Sequence, residues 1–184
     1  MNAELGKTLL ILARNAIAGE LGEAQQTELE LPELAQPGAC FVTLTLDGKL
    51  RGCIGSLKAW RSLREDVRAN ACASAFHDQR FTPLSREEFS RVRVEISLLS
   101  EPQPMACASE EDALSQLRPG MDGVVFEIGN HRSTFLPQVW EDLPEPRQFL
   151  AQLKLKAGLP PSFWSAEAKL SRYQVEKWKE ENMP

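Results

Sequence analysis

One stretch decides the fold class, Phe41-Val-Thr-Leu-Thr-Leu-Asp-Gly-Lys-Leu-Arg-Gly-Cys-Ile54. In each half, apolar and polar residues alternate, which is typical of a strand with one buried face. Asp47-Gly48 lies between the halves, and this dipeptide supplies the positive φ angles of a two-residue type I′ turn. The stretch therefore predicts an antiparallel β-hairpin.

The two-residue turn also predicts the register of this hairpin. Counting outward from the turn places Leu44 opposite Arg51 and Val42 opposite Cys53. We therefore expect the Arg51 guanidinium and the Cys53 thiol to project from one face of the hairpin.

Helical and strand patterns follow one another irregularly along the rest of the chain. Apolar spacing, capping boxes at Ser62 and Ser85, and glycine or proline stops predict helices at 7–21, 62–76, from 85, 109–117 and 145–157. Alternation predicts strands at 92–98, 124–128, 133–136 and 170–178, with a turn at 129–132. Hairpins with interspersed helices predict an α+β fold, a largely antiparallel β-sheet flanked by helices. Since no linker divides the chain, we expect a single domain over 1–184.

Length and composition restrict the possible functions. The 184 residues are 42% hydrophobic and 26% charged, as in ordinary folded chains. A net charge of −5 argues against nucleic-acid and membrane-surface partners. No apolar run fits a membrane span or signal peptide, and the four cysteines form no CxxC pair, so we expect a cytoplasmic protein. The sequence also lacks the phosphate-binding loop, the dinucleotide glycine motif, the zinc-protease motif and the serine nucleophile elbow.

The segment Arg51-Gly-Cys-Ile-Gly55 suggests chemistry because two glycines flank a thiol within a strand pattern. Between positions 49 and 68 there are six basic residues and two acidic ones. Nearby positive charge favours the thiolate, which is the nucleophilic form of cysteine, so Cys53 is the candidate nucleophile. The alternative is that Cys53 is an inert packed side chain and that the glycines only permit close packing. The other cysteines are interpreted as structural: Cys40, Cys72 and Cys107.

Two histidines limit the choice of a catalytic base. His77 ends the helix that follows the hairpin, where Asp78 is expected to orient its imidazole and Arg80 to meet an anion. A simpler interpretation is a histidine that interacts with the helix dipole. His131 is assigned to a turn. No compact spacing of ligands is present, so we expect no metal site.

Five motifs in order cover nearly the whole chain: Leu50-Arg-Gly-Cys-Ile-Gly-Ser-Leu57, Ala75-Phe-His-Asp-Gln-Arg-Phe-Thr-Pro83, Val94-Glu-Ile-Ser-Leu-Leu-Ser100, Thr134-Phe-Leu-Pro-Gln-Val-Trp140 and Lys156-Ala-Gly-Leu-Pro-Pro161. Together they resemble the AMMECR domain family, whose bacterial and archaeal members are also called AmmeMemoRadiSam system protein A. Ser56 stands where threonine is common in that family, a change that keeps the hydroxyl group.

The resemblance implies a two-lobed α+β domain whose larger lobe contains both termini, with the Arg-Gly-Cys-Ile-Gly segment near a cleft between the lobes. It carries over nine positions as a candidate site, namely Arg51, Gly52, Cys53 and Gly55, with His77, Asp78, Arg80, Thr134 and Gln138 as neighbours. The system name implies a Memo-like protein and a radical SAM enzyme as partners. The resemblance implies neither a reaction nor a cofactor.

Three functions remain as hypotheses. In an enzyme, Cys53 acts as the nucleophile or thiol donor, Arg51 binds an anionic substrate group, and His77 or water serves as the base. In a noncatalytic module, Arg51 and nearby hydroxyls bind a small anion or a partner protein while Cys53 only packs. In an adaptor for the companion proteins, the motif serves folding alone.

Overall fold

A computed structural model describes residues 2–180 and has an α+β fold. Its helices are α1 (Ala3–Leu21), α2 (Leu63–Phe76), α3 (Arg86–Phe89), α4 (Glu110–Gln116) and α5 (Pro146–Lys156). Its strands are β1 (Ala39–Leu46), β2 (Lys49–Gly55), β3 (Arg93–Leu99), β4 (Gln103–Met105), β5 (Gly123–Ile128), β6 (His131–Phe135), β7 (Lys169–Tyr173) and β8 (Val175–Lys179). The α+β class with antiparallel sheets is confirmed. No helix in this range is both long and apolar enough to cross a membrane.

The described chain forms two compact units, each with its own four-stranded sheet. The first unit runs to Leu99 and resumes at Glu176, and the second is Ser100–Val175. The strand order is β2-β1-β3-β8 in the first sheet and β4-β7-β5-β6 in the second. The alternating segment predicted as one strand at 170–178 is therefore two strands, β7 and β8, which belong to different sheets.

In the first unit, α1 and α2 pack against one another and against the sheet. The predicted capping box starts α2, because Ser62 accepts a hydrogen bond from the Glu65 backbone N–H and Glu65 accepts one in return. The core contains Leu9 and Leu12 of α1, Val67 of α2, and strand residues such as Val42. The α2 helix thus backs the hairpin and ends at its candidate site.

The predicted hairpin is present, but its predicted register is wrong. Asp47 and Gly48 have φ angles of 50° and 77°, as the two-residue turn requires. Beyond the turn a β-bulge leaves Arg51 without a cross-strand partner, so that Leu44 pairs with Gly52.

The bulge also changes the partner of the thiol residue, since Cys53 pairs with Thr43 and not with Val42. The bulge forms where the Arg51 side chain is buried and bound to groups outside the sheet, on Glu88 and Thr82. These partners are distant in sequence, and counting from the turn takes no account of them.

The second unit has a separate core in which α5 packs against β6. Trp140 and Phe149 stack with ring centroids 3.7 Å apart, and Phe126 and Leu153 are fully buried. The hairpin β5-β6 forms as predicted, although His131 already pairs with Ile128, so the turn is shorter than expected.

Candidate functional site

The backbone of Cys53 is bound on both sides by the loop that follows α2. The Cys53 N–H donates to Asp78 Oδ2 at 3.0 Å, and the Cys53 carbonyl oxygen accepts from Arg80 Nη2 at 3.3 Å. The loop therefore fixes the end of β2 at the thiol residue. Cys53 itself stays partly exposed.

Asp78 is the centre of this clamp. It is only 6% exposed, and besides Cys53 it accepts hydrogen bonds from Arg80 Nη2 at 2.7 Å, Nε at 3.0 Å and the Arg80 backbone N–H at 3.1 Å. The Arg80 side chain and the Cys53 N–H hold the pKa of Asp78 well below its usual range. Asp78 is therefore a charged positioning group with its oxygens already occupied.

Arg80 carries the exposed positive charge of the site. Its side chain is 55% exposed, and its Nη1 donates to no group within residues 2–180. The hydrogen bond with Asp78 raises the pKa of Arg80, and the electrostatic interaction with Cys53 raises it further. Arg80 and the thiol are thus close enough to interact through charge.

The Cys53 thiol lies beside a hydroxyl, with Sγ 3.3 Å from Thr43 Oγ1. The other three thiols have different surroundings. Burial raises the pKa of Cys40, Cys72 and Cys107, and the carboxylates of Asp66, Glu20 and Asp112 respectively raise it further. These three cysteines are therefore held in the protonated, weakly nucleophilic form.

Arg51, which is predicted to hold an anion, already has a carboxylate partner. It is 7% exposed and binds Glu88 through Nε at 2.8 Å and Nη2 at 3.0 Å, while Nη2 also donates to the Thr82 carbonyl at 2.9 Å. Its Nη1 is buried and has no partner among the described residues. The hydrogen bonds from Arg51 lower the pKa of Glu88 to about 2. Arg51 therefore joins β2 to α3 and leaves the exposed charge of the site to Arg80.

The two motif glycines are contact points. A Cβ on Gly52 would overlap the carbonyl oxygen of Ser74 in α2, and a Cβ on Gly55 would overlap the Phe41 ring. Ser74 Oγ also donates to the Val42 carbonyl at 2.8 Å and accepts from the Ile54 N–H at 2.9 Å. Gly52 thus lets α2 approach the hairpin closely enough for Ser74 to bind both strands.

A second buried carboxylate, Asp66 of α2, holds the segment after β2. Its Oδ1 accepts from Ser56 Oγ at 2.6 Å and from Arg61 Nε at 2.8 Å. Its Oδ2 accepts from the Cys40 N–H at 2.8 Å and from Asn70 Nδ2 at 2.9 Å. The loop at 56–61 is therefore attached at both ends to one fully buried group.

His77 is exposed at the C-terminal cap of α2, where its backbone N–H donates to the Ala73 carbonyl. The expected orientation of its imidazole by Asp78 is not present, because the Asp78 oxygens bind Arg80 and Cys53. Within residues 2–180 the imidazole of His77 has no hydrogen bond. Its role as a base stays a prediction.

The two remaining candidate residues belong to the second unit. Thr134 is buried, with Oγ1 3.0 Å from the Tyr173 hydroxyl, and its carbonyl accepts from Lys156 Nζ at 2.9 Å. Gln138 is exposed in the 3₁₀ turn Pro137–Glu141. Thr134 therefore binds Tyr173 inside its own unit, while Gln138 is available to solvent.

Sequence reasoning missed two residues that contact the site, Glu88 and Thr43. Glu88 is recognisable in the sequence as the third residue of the Ser85 capping box, but that signal explains only its bond to the Ser85 N–H. The register shift brings Thr43 to Cys53, and the hairpin pattern carries no sign of it. In the part of the chain that the structure covers, no three His, Cys, Asp or Glu side chains converge as metal ligands would.

Comparison with known proteins identifies the family. The AMMECR1 family model matches residues 10–178. The chain is 35% identical to a protein from Methanothermobacter thermautotrophicus over 98% of this chain and 97% of that one. It is 37% identical to a protein from Sulfurisphaera tokodaii over 98% and 84% of the two chains.

The crystal structure of the uncharacterised protein PH0010 from Pyrococcus horikoshii is similar, with a TM-score of 0.83 at 33% identity. The match covers 98% of this chain and 94% of that one. Since the family model and both relatives cover most of the chain, the protein belongs to the AMMECR1 family.

Proposed function

We propose that the protein is a thiol-dependent enzyme that acts on an anionic small molecule or modified group, with Cys53 as the nucleophile. The observation that carries this proposal is the clamp on the Cys53 backbone by Asp78 and Arg80, which leaves the thiol partly exposed. A nucleophile needs a fixed position and access to its substrate, and the clamp supports both.

The roles of the charged residues follow from their partners. Arg80 is the group that binds the anion, since its guanidinium is exposed and keeps one nitrogen free of described partners. Asp78 and Arg51 are positioning residues, because hydrogen bonds within the protein engage both. His77 or water accepts the Sγ proton, and the thiolate then adds to an electrophilic carbon that is double-bonded to a heteroatom. The electron pair of the broken π bond passes to that heteroatom, which takes up a proton from solvent.

The rate at which each cysteine is alkylated by iodoacetamide, followed against pH by peptide mass spectrometry, tests the nucleophile. We expect Cys53 to react at neutral pH while Cys40, Cys72 and Cys107 stay protected, because only the thiolate reacts. Equal protection of all four thiols in the folded protein would contradict the proposal.

Two arginine variants separate a local charge effect from a general one. Arg80→Gln removes the exposed positive charge that binds the Cys53 carbonyl and should slow the alkylation of Cys53 at neutral pH. Arg86→Gln removes an exposed arginine of the same unit, whose nearest carboxylate contact is Glu23 at 3.9 Å, and should leave the rate unchanged. An equal effect of both changes would remove Arg80 from the site.

A second candidate function, a partner-binding module, is favoured by the loop after the motif. Leu57 is 41% exposed and Trp60 is 70% exposed, although both are large and apolar. The bonds from Ser56 and Arg61 to Asp66 hold the ends of this loop. An exposed, preordered tryptophan is typical of binding hot spots.

Titration calorimetry with a purified Memo-like protein and a purified radical SAM protein tests the second candidate. Trp60→Ser should abolish binding to the true partner, whereas Cys53→Ala should preserve it. No binding to either protein, or binding that Trp60→Ser leaves unchanged, would exclude the loop as the contact.

A further inference from the structure

A groove in the first unit, away from the residues of the Cys53 site, lies between α1 and the edge of the sheet. Its volume is about 720 Å³. Leu10 and Ile11 of α1 form an apolar wall of the groove, and Trp178 of β8 contributes an aromatic ring. Pockets of about 300–1,000 Å³ with mostly apolar walls are the usual sites for small molecules.

An ion pair holds the groove in shape. Arg14 of α1 binds both carboxylate oxygens of Glu180 at 2.6 Å and also donates to the carbonyls of Phe89 and Val92. Glu180 Oε2 in turn accepts from the Val94 N–H of β3 at 2.9 Å. Helix and sheet are therefore connected by a charge-neutral cluster that a ligand need not disturb.

Trp178 packs against α1 at one side of this groove. Its ring lies so close to Gly6 of α1 that a Cβ there would overlap it. Its Nε1 is buried and has no acceptor within residues 2–180. The Nε1 atom is itself among the ring atoms nearest Gly6, so α1 covers the indole N–H and the ring contributes apolar surface to the groove.

The groove is also lined by positive charge that nothing in the described chain neutralises. Lys7, Arg93, Lys177 and Lys179 line it, and none of the four forms an ion pair with another residue between 2 and 180. The protein as a whole has a net charge of −5. Four cations that have no ion-pair partner among the described residues, around one apolar groove, are therefore a local reversal of the overall charge.

We infer that this groove binds an anionic amphiphile, a small molecule with an apolar body and a carboxylate or phosphate head. The apolar body lies against Leu10, Ile11 and the Trp178 ring. The head faces the cations of the rim. Apolar burial supplies affinity, and the charges select an anion over a neutral or cationic molecule of the same length.

Titration calorimetry of the full chain with monomeric dodecanoate and dodecyl phosphate tests the inference and distinguishes the two head groups. Dodecyl maltoside and dodecyltrimethylammonium are the neutral and cationic probes, and acetate tests the head alone. We expect the two anions to bind, the neutral probe to bind weakly and the cation not at all. The binding of the anions should weaken at high salt because the rim charges are exposed.

Three variants locate the site. Ile11→Gln places an amide on the apolar wall and should weaken anion binding about tenfold. Lys7→Gln combined with Arg93→Gln should weaken it about two- to fivefold per charge. Lys49→Gln removes an exposed lysine of β2, outside the groove, and should have no effect.

Three results would each overturn the inference. The first is that neither anion binds, and the second is that the neutral probe binds as tightly as the anions. The third is that Ile11→Gln and the rim variants bind dodecanoate as the unmodified protein does. None of these measurements involves Cys53, so the outcome is independent of the proposed enzyme.

Discussion

Arg51 illustrates how one buried charge determines the geometry around it. A guanidinium that is 7% exposed needs a charged partner and hydrogen bonds, and it obtains both from Glu88 and the Thr82 carbonyl. The β-bulge releases Arg51 from the ladder, so the same residue that interrupts β2 also joins it to α3. The position of Cys53 depends on that arrangement.

The Arg51–Glu88 pair predicts a specific loss of stability in acid. Arg51 lowers the pKa of Glu88 from 4.5 to about 2. A lowered carboxyl pKa stabilises the fold fully above the unfolded value, and this contribution disappears as the pH falls from 4.5 to about 2. Glu88→Gln should therefore lose less stability in acid than the unmodified protein.

Urea unfolding midpoints of both proteins at about pH 6 and about pH 3 measure this difference. Asp78 has a lowered pKa as well, but it is present in both proteins and cancels in the comparison. Equal acid sensitivity of the two proteins would show that the pair contributes nothing to stability.

Gly52 predicts a destabilising substitution at the site. A Cβ there would overlap the Ser74 carbonyl, which is backbone and cannot rotate away. Gly52→Ala should lower the free energy of unfolding by about 1–3 kcal/mol in urea titrations. Gly19→Ala is the matched control, since only the end of the flexible Gln25 side chain is near it. This change should raise stability by about 0.5–1 kcal/mol, because alanine favours a helix.

For single residues, the sequence predicts which side chains belong to the turn and to the candidate site better than it predicts which groups they bind. Asp47-Gly48 specifies its own turn locally, so the hairpin is predictable. The bulge depends on Glu88, which is 37 positions away from Arg51 in the sequence. The register of the hairpin is therefore not predictable from the local pattern. Asp78 and Arg80 are recognisable in the sequence as charged residues that could lie near the thiol. That Asp78 binds Arg80 and not His77 depends on the three-dimensional arrangement, which the sequence pattern does not specify.

Among the elements, α2 connects most of the features of the first unit. Its capping box fixes where it begins, Asp66 holds the segment after β2, Ser74 binds both hairpin strands, and its last turn leads into Asp78. Capping boxes and apolar periodicity are local signals, which is why the helices were predictable. The division of 170–178 into two strands is not predictable in this way, since alternation does not reveal which sheet a strand joins.

Among the residues of α2, Asp66 is the one whose substitution we expect to lower the free energy of unfolding most. Asp66→Asn removes a fully buried charge that binds Arg61 and replaces an acceptor by a donor near the Cys40 N–H or Asn70. We expect the free energy of unfolding to fall by about 3 kcal/mol. Urea titration measures it, with Glu65→Gln as an exposed neighbouring control that keeps the capping geometry. A loss no greater than that of the control would mean that the buried network is not stabilising.

On the scale of the whole molecule, the connection between β7 and β8 organises the chain. Gln174 alone separates these strands, yet β7 lies in the second sheet and β8 at the edge of the first. The second unit is therefore one continuous segment, whereas the first is assembled from two. Regions with separate cores are common in chains of this length, but such a division leaves no compositional boundary in the sequence.

A chain ended after Gln174 tests this organisation. It lacks β8 and Glu180, so Arg14 loses its carboxylate and β3 becomes an edge strand. Amide hydrogen exchange should show lost protection in β3, with protection retained in β5, whose partners β6 and β7 remain. Unchanged protection of β3 would show that β8 contributes little to the first sheet.

The late position of β8 has a consequence for protein synthesis. The ribosome makes the first 99 residues of the first unit early, but the strand that covers β3 follows only after the 75 residues 100–174. At about 5–20 residues per second, β3 waits about 4–15 seconds with an open edge. An open strand edge invites pairing with another chain. Nascent copies on one polysome are therefore most exposed to misassembly during the interval in which the second unit is being made.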